Sequence, residues 1–273
     1  MNFTATGADV DGDTLTYAWT FGDGGTASVQ NPSHTYASAG SYTSYVTVSD
    51  GKGGSASASV VVTVTPAVAG WSDSLEAYAV GSQLRLQGGW KGWDNKVAAG
   101  ALVAGTPVRG GAKSMAITGA SDLVHEYSGA TTGQWIYTAW QYVPTNYVGK
   151  QYFLMLNTYV DGGAKNWSVE VYLDWVSGKV HSNPENAELA LVKGRWVELR
   201  VEINLDLDVQ SFYYDGQKLY TKSWTAGRSG GGVRNIAAVD LYAGNASAVY
   251  YDDMSLVPGT SREPQGKRLS VSP

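Results

Sequence analysis

DVDGDTLTYAWTFGDGGTASVQNPSHTYASAGSYTSYVTVSDGKGGSASASVVVTV (residues 9–64) is built from alternating runs cut by turn clusters. LTYAWTF (15–21), SYTSYVTVSD (41–50) and SASASVVVTVT (55–65) alternate between apolar and polar positions. GDGG (22–25) and GKGG (51–54) separate them. A period of two places successive side chains on opposite faces of a strand, and Gly and Asp supply the turns. The stretch therefore predicts antiparallel strands of a small sandwich.

The same pattern continues to the end of the chain. QWIYTAWQYVP (134–144), QYFLMLNTYV (151–160), NWSVEVYLDW (166–175) and RWVELRVEINLD (195–206) are strand-like. So are QSFYYDGQKLYTKSW (210–224), NIAAVDLYAG (235–244) and AVYYDDMSLV (248–257). No helical period is sustained. The chain has 273 residues, with 34 Gly, 18 Tyr, 10 Trp and only 16% charged residues, which suits an all-β protein rich in turns. We expect a domain at residues 1–65, a linker at 66–70 (PAVAG), a larger antiparallel jelly-roll sandwich at 71–258, and a disordered tail at 259–273, polar and without period.

Residues 9–64 resemble a PKD domain, an immunoglobulin-like sandwich. The resemblance rests on Trp19, Phe21, Gly22, Asp23 and Gly24 in W-x-F-G-D-G, on NPSHTY (31–36), and on the Gly40/Tyr42 pair. It implies that the module's first strand is missing and that the chain begins inside the domain, leaving a sheet edge unpaired. In the larger domain, WVELRVEIN (196–204) followed by YYDGQKL (213–219) resembles concanavalin A-like or laminin-G-like sandwiches. DSLEAYAVGS (73–82) and YYDDMSLVP (250–258) resemble the ends of carbohydrate-binding jelly rolls. These resemblances imply a larger secreted bacterial protein.

Several function classes are excluded at this stage. The net charge is −5, so no basic stripe exists to neutralise nucleic acid phosphates. There is no Cys, which removes disulfides and thiolate zinc sites. No apolar run is long enough to span a bilayer, and the N-terminus lacks the features of a signal peptide, so a secreted or cell-surface location would require a leader outside this chain. His125-Glu126 is not followed by a second His at zincin spacing, no G-x-S-x-G elbow occurs, and GRSGGG (227–232) precedes a strand and reads as a loop. A monomer is expected.

Strand phase points to one binding surface. In 166–175, Trp167, Val169, Val171 and Leu173 form the predicted inner set, leaving Glu170, Tyr172 and Asp174 outside. In 195–206, Leu199, Val201 and Ile203 point in, and Arg200, Glu202 and Asn204 out. In 151–160, Leu154 and Leu156 point in, and Met155, Asn157 and Tyr159 out. Taken as neighbours, these strands offer Asn157, Tyr159, Glu170, Tyr172, Asp174, Arg200 and Glu202 to a polysaccharide: aromatic rings stack on sugar C–H faces, and carboxylates and amides bond the hydroxyls. Trp90 and Trp93 of GGWKGWDN (88–95) either lie exposed at the sandwich edge or plug it.

Two further readings concern chemistry. One family of concanavalin A-like glycosidases carries E-x-D-x-E on a strand. Glu170-Val-Tyr172-Leu-Asp174 and Glu202-Ile-Asn204-Leu-Asp206 are near misses. Residues i and i+4 of a strand lie about 13 Å apart, so hydrolysis would need a bulge or a cross-strand pair such as Glu170 with Glu202. Asp73, Glu76, Asp252 and Asp253 form a candidate structural calcium site where first and last strands meet, as the jelly-roll resemblance implies. Asp9, Asp11 and Asp13 alternate like a calcium loop, but Gly12 is misplaced for one, and the stretch reads as a turn. The primary expectation is a non-catalytic polysaccharide-binding region. A hydrolase or lyase using Glu170, Glu202 or Asp174, and a structural spacer, are the alternatives.

Overall fold

The computed structural model describes residues 1–64, 69–228, 230–259 and the backbone of 267–270. The protein is all-β and divides into two compact units, one from residues 1–64 with 267–270 and the other from residues 69–259. Among the described residues, no helix is long and apolar enough to cross a membrane.

The first unit holds β1 (Phe3–Thr6), β2 (Thr16–Thr20), β3 (Thr26–Ala27), β4 (Gly40–Ser49) and β5 (Ser55–Val64). A four-stranded sheet runs β3-β2-β4-β5. Its core is Phe3, Ala5, Trp19, Phe21, Val46, Val48 and Val62, with Phe3 5.5 Å from Trp19 and 5.0 Å from Phe21 between ring centroids. His34 stacks on Phe21 at 4.1 Å, and its Nε2 lies 2.7 Å from Asp23 Oδ2. That bond holds the Asp23 carboxyl below its ordinary pKa. The Asp9–Asp13 segment is a turn, because Asp9 Oδ1 accepts the amides of Asp11 and Asp13 at 3.0 and 2.9 Å.

Gly22 of the W-x-F-G-D-G segment is required by geometry. Its φ is +81°, and a Cβ there would sit 2.7 Å from the Thr43 carbonyl oxygen. Gly22→Ala is expected to destabilise this unit by more than about 1 kcal/mol, through the left-handed backbone and the clash together. Amide hydrogen exchange of β4 and β5 measures it; protection equal to the native chain's would refute it.

The second unit begins with β6 (Trp71–Asp73), β7 (Trp90–Gly92), β8 (Leu102–Ala104), β9 (Ser114–Ile117) and β10 (Asp122–Glu126). β11 (Gln134–Tyr142), β12 (Lys150–Tyr159), β13 (Lys165–Asp174), β14 (Lys179–Ser182) and β15 (Glu188–Ala190) follow. β16 (Trp196–Asn204), β17 (Val209–Tyr214), β18 (Gln217–Lys222), β19 (Ala238–Tyr242) and β20 (Val249–Pro258) complete it. One sheet runs β15-β14-β13-β12-β19-β10-β7. The other runs β18-β17-β16-β11-β20-β9-β8, with β6 also on β20. Their inner faces enclose one core that includes Trp90, Trp135, Tyr137, Phe153, Met155, Val171, Val201, Phe212, Trp224 and Tyr251. Fully burying a large apolar side chain stabilises the fold by roughly 1.5–3 kcal/mol, so this layer dominates the unit's stability.

The strands lie close to their expected positions, but two details differ. In β12, Phe153 and Met155 enter the main core, while Leu154 and Leu156 lie on the outer face, the reverse of the expected phase. The run F-L-M-L is apolar on both sides, so alternation gave no contrast. The β12/β13 register also shifts on either side of Leu156. That irregularity turns Trp167 out of the main core, to pack with Trp93 on the outer face.

β21 (Lys267–Ser270) departs from the expectation of a disordered tail. It pairs in parallel with β1, from Phe3↔Lys267 to Thr6↔Ser270. The edge expected to be unpaired at the start of the chain therefore has a strand beside it, because its free N–H and C=O groups accept any extended segment within reach. The expected linker falls largely outside the described residues, as do 260–266 and 271–273 of the tail.

Candidate functional site

The outer face of the seven-stranded sheet carries an aromatic row set by strand register. Tyr242 pairs with Asp122 and Tyr152, Tyr152 with Tyr172, and Tyr172 with His181. Their strand neighbours Leu241, Phe153, Val171 and Val180 point into the core, so alternation leaves the Tyr and His rings outside. Ring centroids are 5.6 Å apart for Tyr152–Tyr242, 5.5 Å for Tyr152–Tyr172 and 4.8 Å for Tyr172–His181. Four adjacent strands thus present a strip about 14 Å long. Burial raises the Tyr152 hydroxyl above its usual pKa, so it remains a donor at neutral pH.

A cavity of about 360 Å³ opens along one side of this strip, lined by Lys150, Tyr152, Asp174, Val176 and Tyr242 over Gly149 and Gly244. Lys150 Nζ stands 5.2 Å from the Tyr172 ring centroid and 3.6 Å from Asp174 Oδ2. Burial would raise the Asp174 carboxyl, but the Val176 amide and the Lys150 ammonium outweigh it and hold it below its ordinary value. Asp174 is therefore an ionised acceptor beside exposed aromatic surface.

The next row along the strands is Val124, Asp240, Leu154 and Glu170. Glu170 is nearly buried, accepting from Asn183 Nδ2 at 2.8 Å and Arg228 Nη1 at 2.9 Å. Asp240 is almost fully buried, and its Oδ1 has no hydrogen-bond partner among the described residues. Burial, reinforced by neighbouring Asp122, pushes the Asp240 carboxyl well above its ordinary range. Burial also raises Asp122.

The other end of the face is closed. Trp93 stacks near Trp167 at 6.2 Å and meets Tyr159 edge-on at 5.1 Å, covering Leu156, Val124 and Ala238. Lys165 joins Asp94 at 2.6 Å, and Lys91 bridges Glu126 and Asp161 at 2.7 Å each. Trp90 is buried in the core and Trp93 half-buried, so this Gly-rich segment plugs the face.

The expected binding residues separate into three groups. Glu170, Tyr172 and Asp174 share the outer face with the aromatic row. Asn157 is fully buried, donating to Asn166 Oδ1 and Ser168 Oγ at 2.9 Å, so it is a strut; Tyr159 belongs to the closed end. Arg200 and Glu202 lie on β16 in the other sheet and face outward there, paired at 3.2 Å. The proposed Glu170/Glu202 carboxylate pair therefore does not exist, because the core separates the two side chains. Glu170 and Asp174 remain about 13 Å apart along a strand, too far for a retaining or inverting pair.

The four calcium candidates are engaged with protein groups. Asp73 accepts from Leu75 N, Tyr78 Oη and Trp90 Nε1 at 2.8–2.9 Å. Glu76 accepts from the amides of Ala112 and Lys113, both at 2.9 Å. Asp252 accepts from the amide of Arg109 at 2.9 Å, and Asp253 pairs with the Arg109 guanidinium at 2.5 Å. Among the described residues, no group of three or more His, Asp or Glu is arranged to hold a metal ion.

Tyr152, Tyr242, His181, Lys150, Arg228 and Asp240 escaped the sequence reading. One signal was present: Asp240 and Tyr242 alternate with Val239 and Leu241 in an otherwise apolar strand. Which strands flank it was not legible.

The chain is similar to several solved structures at low identity. An endo-β-1,4-glucuronan lyase from the fungus Trichoderma reesei is 12% identical, over 69% of this chain and 95% of that one, with TM-score 0.44. Alginate lyase Aly36B, solved with an alginate tetrasaccharide, is 12% identical over 71% and 98%, with TM-score 0.47. Galectin LEC-6 of Caenorhabditis elegans is 10% identical over 49% and 88%, with TM-score 0.34. No curated protein matches the sequence. Residues 1–65 match the PKD domain family, and the first unit is a PKD domain.

Proposed function

We propose that the second unit binds a polysaccharide across the outer face of its seven-stranded sheet, as a non-catalytic region of a larger secreted protein in which the PKD domain serves as spacer or co-binder. The row Tyr242–Tyr152–Tyr172–His181, with Asp174 and Lys150 along its side, carries this reading. An aromatic row with phenol hydroxyls runs there beside the charged groups Lys150 and Asp174, the combination of apolar surface and fixed polar groups that a sugar's C–H groups and hydroxyls require.

The test is affinity electrophoresis through gels containing neutral and uronic-acid polysaccharides. The native chain should be retarded by at least one polymer. Tyr152→Ala and Tyr242→Ala should each weaken retention about tenfold or more, as loss of a central aromatic anchor does. Arg200→Ala and Glu202→Gln, on the opposite sheet, should leave it unchanged. Free migration in every gel sinks the reading.

An enzymatic reading keeps one observation: Tyr172, His181, Glu170 and Arg228 lie on one face, where a phenol or imidazole could take a proton beside a guanidinium that balances charge. That set suits β-elimination on a uronic-acid polymer better than hydrolysis by Glu170 and Glu202, which stand on different sheets. Unsaturated sugar released by the native chain and abolished in Tyr172→Phe would establish it.

A further inference from the structure

A second cavity, of about 600 Å³, lies away from the aromatic row, where β6 meets β20. Its volume falls in the usual range for small-molecule sites. Trp71, Asp73, Tyr78, Asp253, Ser72 and Ser255 provide most of its wall. The set combines one large aromatic surface with hydroxyls and carboxylates.

The geometry around Asp253 is specific. Asp252 and Asp253 are consecutive yet play opposite parts. Asp252 is fully buried and holds the segment at Arg109 and Gly110 through their amides, at 2.9 and 3.3 Å. Asp253 takes φ +44°, a left-handed conformation uncommon outside glycine. The β11/β20 register shifts between Thr138 and Trp140, opposite this point. Bulges of this kind re-aim a side chain, and strained backbone persists where the surroundings over-determine it.

The re-aimed carboxylate is also braced. Arg109 stacks on Trp140, with its guanidinium carbon 3.7 Å from the ring centroid, and bonds Asp253 Oδ2 at 2.5 Å. Asp253 Oδ1 has no protein partner among the described residues, and the side chain is 29% exposed, so one oxygen is free to accept. Tyr78 Oη and Trp90 Nε1 fix Asp73 in the wall at 2.8 and 2.9 Å. The acceptor is thus held in place before any ligand arrives, which lowers the cost of ordering it on binding.

We propose that this cavity is a second carbohydrate site, taking a single pyranose unit whose vicinal hydroxyls bond Asp253 and Ser255. It is separate from the seven-stranded face and stands or falls independently of it. A chain with both sites would engage one polymer at two points, so that the second contact forms at high effective concentration.

The test uses the whole chain and two-dimensional amide spectra, with the Trp71 indole N–H assigned from Trp71→Phe. The probes are glucose, galactose, xylose, mannose and glucuronate. At least one should shift the Trp71 indole and the Ser72 and Ser255 amides saturably. Asp253→Asn should weaken that binding about tenfold or more, through loss of a charge-assisted hydrogen bond. Asn tolerates positive φ, so this variant retains the bulge. Tyr152→Ala/Tyr242→Ala should leave the shifts intact. The proposal is overturned if no probe moves these resonances, if Asp253→Asn binds as tightly as the native chain, or if calcium chloride alone produces the saturable shift.

Discussion

Trp224→Ala is expected to lower the stability of the second unit by about 3–5 kcal/mol, the usual cost of truncating a fully buried Trp. Trp224 is 0% exposed, and its Nε1 donates to the Asn235 carbonyl at 2.9 Å. The substitution removes the ring from the main core and leaves that carbonyl without its partner. The Trp224 carbonyl also accepts from Ser168 Oγ at 2.7 Å, and Ser168 in turn accepts from Asn157. The damage should therefore reach the β12/β13 irregularity that supports the outer face. For a unit of this size each kcal/mol corresponds to roughly 2–4 °C, so the melting midpoint should fall by about 6–20 °C. Calorimetry would reveal it, and a fall below about 2 °C would show that the ring does not anchor the core. Trp224→Phe, which restores most of the apolar volume, should recover much of the loss.

Asp240→Asn is expected to act in the opposite direction, raising stability at neutral pH by about 1–3 kcal/mol. The sign follows from linkage. Asp240 has a folded pKa raised well above the ordinary 3.8 by burial and by Asp122. Near pH 3 both folded and unfolded states hold the proton, and the group has no effect. As pH rises above about 4 the unfolded chain releases its proton while the folded chain retains it, so the folded state binds more protons and stability falls. The fall continues through the raised folded pKa and levels off above it. Asn carries no titrating proton, and its amide can donate to Asp122 much as a protonated carboxyl would. Urea titrations between pH 3 and pH 8 should therefore show the variant and native chain close together at the acid end and diverging upward in favour of the variant. A variant destabilised equally at both ends would mean that Asp240 acts by shape alone.

Both expectations rest on side chains that the sequence marked only in part. Trp224 ends an alternating run, and its type alone made burial the default. Asp240 interrupts an apolar strand, and its consequence depends on Asp122 across the β10/β19 ladder, a partner more than a hundred residues away. The binding face shows the same division. Glu170, Tyr172 and Asp174 could be assigned to one side of a strand because alternation is local. Arg200 and Glu202 were equally well phased, yet they stand on the other sheet.

Legible in the sequence alone were the all-β class, the PKD domain at residues 1–65, the place of most strands of the larger sandwich, and the core-facing side of β16 and of β13 beyond Trp167. These follow from a two-residue period, from turn chemistry and from a motif whose glycine has no steric substitute. Tertiary structure alone decided that β13 lies beside β12 and not β16, that Tyr242, Tyr152, Tyr172 and His181 make one row, that Asp252 and Asp253 point to different tasks, and that Lys267–Ser270 lies along β1. Side-chain direction is fixed by neighbouring residues along the chain, whereas strand order is fixed by pairing between segments far apart in sequence. No local pattern encodes that pairing when both faces of a strand such as β12 are apolar.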